Sequence, residues 1–187
     1  EREAVRLDQL VGELLTLSRL EARVGDEREE AIDLVGLVRE AAEDARFEAE
    51  ASGRRVELCG VDEAIVLGRA QLLYRAFENV SRNAVKFAPQ GTSIEIAVTR
   101  PPESGRFLVT VSDRGPGVPE AEIEAIFAPF FRSATRPQAA GFGLGLAIAR
   151  RAIEAHRGKI RAVNRPDGGL RIEIVLPAEY PTQSPDP

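Results

Sequence analysis

Three stretches of the 187-residue chain carry residues whose types and spacing suit a chemical task. In "ENVSRNAVKF" (78–87), Asn79 and Asn83 stand four apart and Lys86 follows three later. On a helix, that spacing puts both carboxamides on one face with the ammonium close by. Asparagine is a mediocre helix former, so two of them in an otherwise apolar helix ask for a reason. A carboxamide oxygen can ligate Mg²⁺, a hard cation that prefers oxygen and retains water and phosphate ligands. The same residues would also serve as loop caps or as solvated polar positions. In "VSDRGPGVP" (111–119), Asp113 ends an apolar-alternating run and Gly115 and Gly117 follow. A carboxylate placed there can accept hydrogen bonds from an exocyclic amine such as adenine N6, although a plain Asp–Gly turn reads identically. In "GFGLGLAIAR" (141–150), Gly141, Gly143 and Gly145 alternate with large apolar residues before a helical pattern begins. Glycine lets backbone approach a ligand closely, and a helix N-terminus offers N–H groups and a positive dipole end to phosphate. A glycine-rich loop with no ligand is the alternative.

Neighbouring residues narrow these readings. No Gly-Lys-Ser/Thr follows the glycines, so this is not a Walker loop. The preceding "RSATRPQAA" is polar, small and Pro-broken, which suits a mobile loop and not the buried strand of a dinucleotide fold. "FAPFFRSATR" (127–136) gathers Phe127, Phe130 and Phe131, either as core or as a hinge for that loop. Arg132 and Arg136 within it can reach phosphate. The single histidine, His156, falls at a predicted helix end, where a structural bond to terminal carbonyls is expected. With one His and one Cys (Cys59), neither a zinc cluster nor a Ser–His–Asp triad can be assembled.

The elements that must position these groups follow from periodicity. Residues 1–24 read as a helix, with Leu7, Leu10, Leu14 and Leu17 in one stripe widened by Val11 and Leu15. Too short to stand alone, it is expected to seek a partner helix, with folding back on its own domain as the alternative. Asp33 is a predicted N-cap for a helix over 33–52, with Gly53 as its stop. Strands are predicted over 54–60 and 64–68, a long helix over 69–87, and strands over 92–100 and 106–113. A short helix is expected from Pro119 to Phe127, a loop over 128–142, a helix to Ala155, and a closing hairpin over 158–177. The tail 181–187 reads as disordered. Half-polar alternating strands interleaved with helices predict an α+β two-layer sandwich: a mixed, mostly antiparallel sheet covered by helices, with an N-terminal helical extension.

Composition sets the bounds. A net charge of -5 with no long basic run argues against nucleic acid as a partner. No apolar run approaches the roughly 18 residues needed to span a bilayer. The absence of methionine points to a piece of a longer protein.

The order of the motifs is more specific than any one of them. "ENVSRNAVKF", "DRGPGVP", "FAPFFR" and "GFGLGLAIAR" resemble the asparagine, first glycine, phenylalanine and second glycine boxes of sensor histidine kinases. Those kinases share their ATPase superfamily with gyrase, heat-shock chaperones and mismatch-repair proteins. "RLDQLVGELLTLSRLEA" resembles the second helix of their dimerisation and phosphotransfer hairpin. The resemblance implies an ATP-binding catalytic domain over 25–180, with 128–142 as an ATP lid, following a truncated hairpin over 1–24. It implies that Asn83 ligates Mg²⁺, with Asn79 and Lys86 at the phosphates and Phe87 lining the pocket. Asp113 would bind the adenine amine, with Gly115 and Gly117 shaping that wall. Gly141, Gly143, Leu144, Gly145 and Leu146 would form the anchored end of the lid, with Arg132 and Arg136 as further phosphate contacts.

The departure from the family is as informative. No acceptor-histidine motif is present, and His156 matches the segment after the second glycine box. The chain is therefore expected to bind Mg–ATP but not to phosphorylate itself on histidine. In the full-length protein the γ-phosphoryl group would pass to a histidine and then to a response-regulator receiver domain. That protein is expected to be a homodimer through the hairpin, on the cytoplasmic side of a bacterial inner membrane, tethered by segments missing here. The alternatives are an anti-sigma-factor-type serine kinase, against which the N-terminal helix argues, and a regulatory module without kinase activity.

Overall fold

The computed structural model describes residues 10–12, 14–18, 29–102, 104–133 and 141–178. The expected tail, Leu7, Arg136 and residues 134–140 of the loop 128–142 lie outside the described residues. In chain order the elements are β1 (Glu30–Asp33), α1 (Leu34–Glu50), β2 (Arg55–Gly60), β3 (Ile65–Gly68), α2 (Ala70–Phe87), β4 (Ser93–Thr99) and β5 (Arg106–Ser112). Two 3₁₀ turns (Glu120–Glu122, Ala125–Phe127), α3 (Gly145–Ala155), β6 (Lys159–Asn164) and β7 (Leu170–Pro177) complete the chain.

Five strands form one sheet in the order β2-β4-β5-β7-β6. β2 runs parallel to β4, and the other neighbours are antiparallel. Alternation decides the layering. Ile94, Ile96 and Val98 of β4, Phe107, Val109 and Val111 of β5, and Ile172, Ile174 and Leu176 of β7 are all buried. The helices cover that face, giving the expected two-layer α+β sandwich. α2 is the central helix and packs against both α1 and α3. Its inward stripe of Leu73, Ala76, Phe77, Val80 and Ala84 fills the middle of the core.

Local rules account for most boundaries. Asp33 caps α1, its carboxylate accepting the Gly36 N–H at 3.0 Å. α1 stops at Glu50, two residues short of the expected end. The chain leaves it through a turn in which Gly53, at φ 69°, donates to the Glu50 carbonyl at 3.1 Å. The strand β1 was not expected. Only Ile32 of its four residues is buried, so "EAID" shows no alternation to read. It pairs antiparallel with β3 in a separate two-stranded sheet. The helix expected from Pro119 to Phe127 is instead the two 3₁₀ turns. The segment is too short and too irregularly apolar to sustain i→i+4 bonding.

Residues 10–12 and 14–18 are helical. Leu10 and Leu17, two turns apart, pack against Phe142, Leu144 and Ile148 in a small second apolar cluster. Part of the predicted stripe therefore folds back on its own domain, while Val11, Leu14 and Leu15 stay exposed.

Candidate functional site

A single cleft gathers nearly every residue singled out by the sequence. α2 supplies Asn79, Asn83, Lys86 and Phe87 to its wall, and the end of β5 with its turn supplies Asp113 and Gly117. The chain entering α3 supplies Gly141, Gly143, Leu144, Gly145 and Leu146, and Arg132 borders it at the other end of the loop. Gly115 stands behind this wall and not on it. A Cβ there would come within 2.7 Å of the Phe87 carbonyl and 2.8 Å of an Asp113 carboxylate oxygen. Glycine is what lets the end of α2 meet the end of β5.

The floor of the cleft is Asp113, which is 4% exposed. Its Oδ1 accepts the Gly115 N–H at 2.7 Å and the Leu170 N–H at 3.2 Å. Its own N–H donates to the Leu170 carbonyl at 2.9 Å. Above it, Val118, Ile126, Leu146 and Leu170 make an apolar slot. Asn164 and Arg165, at the end of β6, hold this region from behind. The Asn164 carboxamide accepts the Val118 N–H at 2.9 Å and donates to the Val118 carbonyl at 2.7 Å. Its oxygen lies 2.7 Å from where a Cβ on Gly117 would be. Arg165 donates to the Asp113 carbonyl at 3.4 Å and pairs with Glu95 at 3.5 Å. Neither residue was legible in the sequence, because their roles exist only once β7 lies beside β5.

The other end of the cleft is cationic and amide-rich. Asn79 donates its amide to the Arg75 carbonyl at 2.9 Å, and its oxygen lies 2.9 Å from the Cβ position of Gly145. A side chain at 145 would push α3 off α2. Asn83 is half-buried on the wall, and its carboxamide has no hydrogen-bond partner among the described residues. The Lys86 ammonium lies 5.0 Å from the centre of the Phe87 ring. Burial, and then the Arg132 guanidinium, lower its pKa below that of free lysine. Arg82, which sequence reasoning missed, also reaches the wall while paired with Glu78 at 2.5 Å and Glu48 at 3.7 Å.

The two ends of the 128–142 segment are fastened together. The Phe130 N–H donates to the Gly143 carbonyl at 2.9 Å, and both residues adopt left-handed backbone, at φ 63° and 77°. The phenylalanine trio divides its labour. Phe127 is core, Phe131 lines the cleft, and Phe130 is exposed. An apolar slot over one buried carboxylate, continued by amides and cations beneath a helix N-terminus, suits a purine nucleotide carrying a polyphosphate.

The comparisons with known proteins agree. The sequence profile of the histidine kinase-, DNA gyrase B- and HSP90-like ATPases matches residues 68–180. The sensor protein SphS of Synechococcus elongatus is 36% identical over 187 residues, covering 95% of this chain and 45% of SphS. The sensor histidine kinase CpxA of Escherichia coli is 37% identical over 180 residues, covering 95% of this chain and 38% of CpxA. The chain thus spans less than half the length of these relatives. The structure of full-length ShkA in complex with AMPPNP superposes with a TM-score of 0.81 at 27% identity, covering 93% of this chain and 36% of ShkA. With a profile match over more than half of its length, laid on the same elements that build the cleft, the chain belongs to the histidine kinase-, DNA gyrase B- and HSP90-like ATPase family.

Proposed function

We propose that this chain is the nucleotide-binding catalytic portion of a sensor histidine kinase. It binds Mg–ATP in the cleft and presents the γ-phosphoryl group to a histidine that this sequence lacks, for relay to a response-regulator receiver domain. The observation that carries the reading is the convergence of Asp113, the α2 amides and the glycine run on one cleft, although they lie far apart in sequence. The full-length protein would act as a homodimer joined through helices that include the N-terminal stretch, on the cytoplasmic side of a membrane it crosses elsewhere. Among the described residues no helix is long and apolar enough to cross a membrane.

In this reading the adenine ring enters the apolar slot and donates its amine to Asp113. Asn79, Lys86 and Arg132 bind and orient the phosphates, with Arg136 joining from the loop. Gly141, Gly143 and Gly145 let the backbone close on the triphosphate, and Leu144 and Leu146 exclude water from one side. The Asn83 carboxamide fits a Mg²⁺ ligand. It is an uncharged oxygen donor at the amide end of the cleft, and no cluster of His, Cys, Asp or Glu among the described residues competes for the ion. When bound, the ion neutralises charge on the β- and γ-phosphates. His156 is not an acceptor, since it is 4% exposed and both ring nitrogens are engaged by backbone.

Calorimetric titration with a non-hydrolysable ATP analogue, with and without Mg²⁺, tests the proposal. Asp113→Asn keeps an oxygen for Gly115 and Leu170 but turns the other carboxylate atom into a donor facing the amine. Hydrogen bonds to charged groups are worth about 1.5–3 kcal/mol, so affinity is expected to fall about 10- to 100-fold with the fold intact. Unchanged affinity in this variant would sink the adenine assignment.

A further inference from the structure

His156 takes no part in the cleft, yet two features of the backbone are built around it. Its Nε2 lies 2.9 Å from the backbone nitrogen of Arg69, the residue that starts α2. Its Nδ1 lies 2.6 Å from the carbonyl oxygen of Ala152 in α3. A backbone N–H can only donate, so Nε2 must be the bare nitrogen, and Nδ1 carries the proton that goes to Ala152. Gly68 has no side chain to obstruct this, because a Cβ there would lie 2.3 Å from the ring.

The position of this contact gives it meaning. α2 and α3 run antiparallel and touch at two special points. At one, His156 of α3's end meets Arg69 at α2's start. At the other, Gly145 at α3's start meets Asn79. Each span is ten or eleven residues, about 15 Å of helix. Two fixed points on a pair of rigid helices define their register. A slip at the His156 end would carry Gly145 off Asn79, and with it the glycine run off the asparagine face.

We propose that His156 is a positioning residue for the nucleotide cleft: in its neutral form with the proton on Nδ1 it sets the register of α3 on α2, and protonation of Nε2 releases that register. The proposal rests on the nucleotide reading of the cleft. Protonation would place an N–H against the Arg69 N–H, two donors facing each other. The charged groups around the ring do not compensate. Arg69 and Arg157 are cations, and Glu29 is already paired with Arg157 at 2.8 Å. Burial is the main cause of a pKa below the free-imidazole value, with the Ala152 carbonyl opposing it and Arg69 lowering it further. A lowered folded pKa has a definite sign. The contribution is complete above about pH 6.5 and is lost as pH falls through the folded value.

The test compares wild type with His156→Gln, which offers an acceptor near the Nε2 position and does not titrate. Affinity for the Mg²⁺ complex of AMP-PNP is measured from about pH 8 down to pH 5, and the wild-type to Gln ratio removes the titration of the nucleotide itself. Hydrogen exchange at the Arg69 amide and ring ¹⁵N shifts of His156 are followed in parallel without nucleotide. The expected result is a wild-type affinity that falls about fivefold or more relative to Gln on acidification, with Arg69 protection lost along the His156 titration curve. Identical profiles for the two proteins, or an Arg69 amide that stays protected while His156 titrates, would overturn the proposal. Absence of nucleotide binding by wild type at every pH would overturn the nucleotide reading itself, and the positioning role with it.

Discussion

At the mouth of the cleft, Lys86 holds its charge against burial and against Arg132. Both effects favour the neutral amine, and a bound polyphosphate would favour the ammonium. The sign follows: affinity for an ATP analogue is expected to decline as pH rises toward the ordinary lysine value of 10.5, beginning below it. Lys86→Arg, which does not titrate in that range, should bind with no such decline. A wild-type profile as flat as that of the arginine variant would remove Lys86 from the phosphate end. Individual residues were legible to the extent that their task depends on local spacing. Asn79, Asn83 and Lys86 share a helix face that 3.6-residue periodicity reveals, and Asp113 sits at a strand end. Asn164 was not legible, because nothing near it in sequence marks an amide whose partners lie 46 residues away.

Among elements, the clasp between Phe130 and Gly143 decides how the 128–142 segment is anchored. Gly143 needs its left-handed backbone, and a Cβ there would lie 2.6 Å from the Phe131 carbonyl. Gly143→Ala is expected to cost about 1–2 kcal/mol in backbone strain, or roughly 2–8 °C in thermal midpoint for a domain of this size. Hydrogen exchange at the Phe130 amide should accelerate, since its acceptor is the carbonyl of the mutated residue. An unchanged midpoint together with unchanged exchange would show that the clasp bears no strain. The long periodic elements α2, α3, β4, β5 and β7 were readable because alternation or helical stripes repeat within each. β1 and the 3₁₀ turns were not, since each is too short to repeat a pattern and owes its shape to what it touches.

For the whole molecule, the sandwich followed from alternating strands interleaved with helices. The strand order did not, because the parallel pairing of β2 with β4 and the placing of β7 between β5 and β6 are long-range choices. The docking of the N-terminal stretch was only half foreseen. Leu10 and Leu17 cover Phe142, Leu144 and Ile148, so a chain beginning at residue 29 is expected to bind an apolar dye more strongly than the whole chain. Leu17→Lys in the whole chain should have the same effect, and no change in either protein would show that the contact is not kept in solution. The hydrogen bond from Leu170 to Asp113 has a consequence in time. It joins residues 57 apart, and translation proceeds at about 5–20 residues per second. For roughly 3–11 s after Asp113 is made, the growing chain holds its buried carboxylate without the strand that completes the cleft floor. During synthesis, then, the nascent domain passes through an interval in which its helices can form but no ligand of the finished cleft can yet act as a template for its folding.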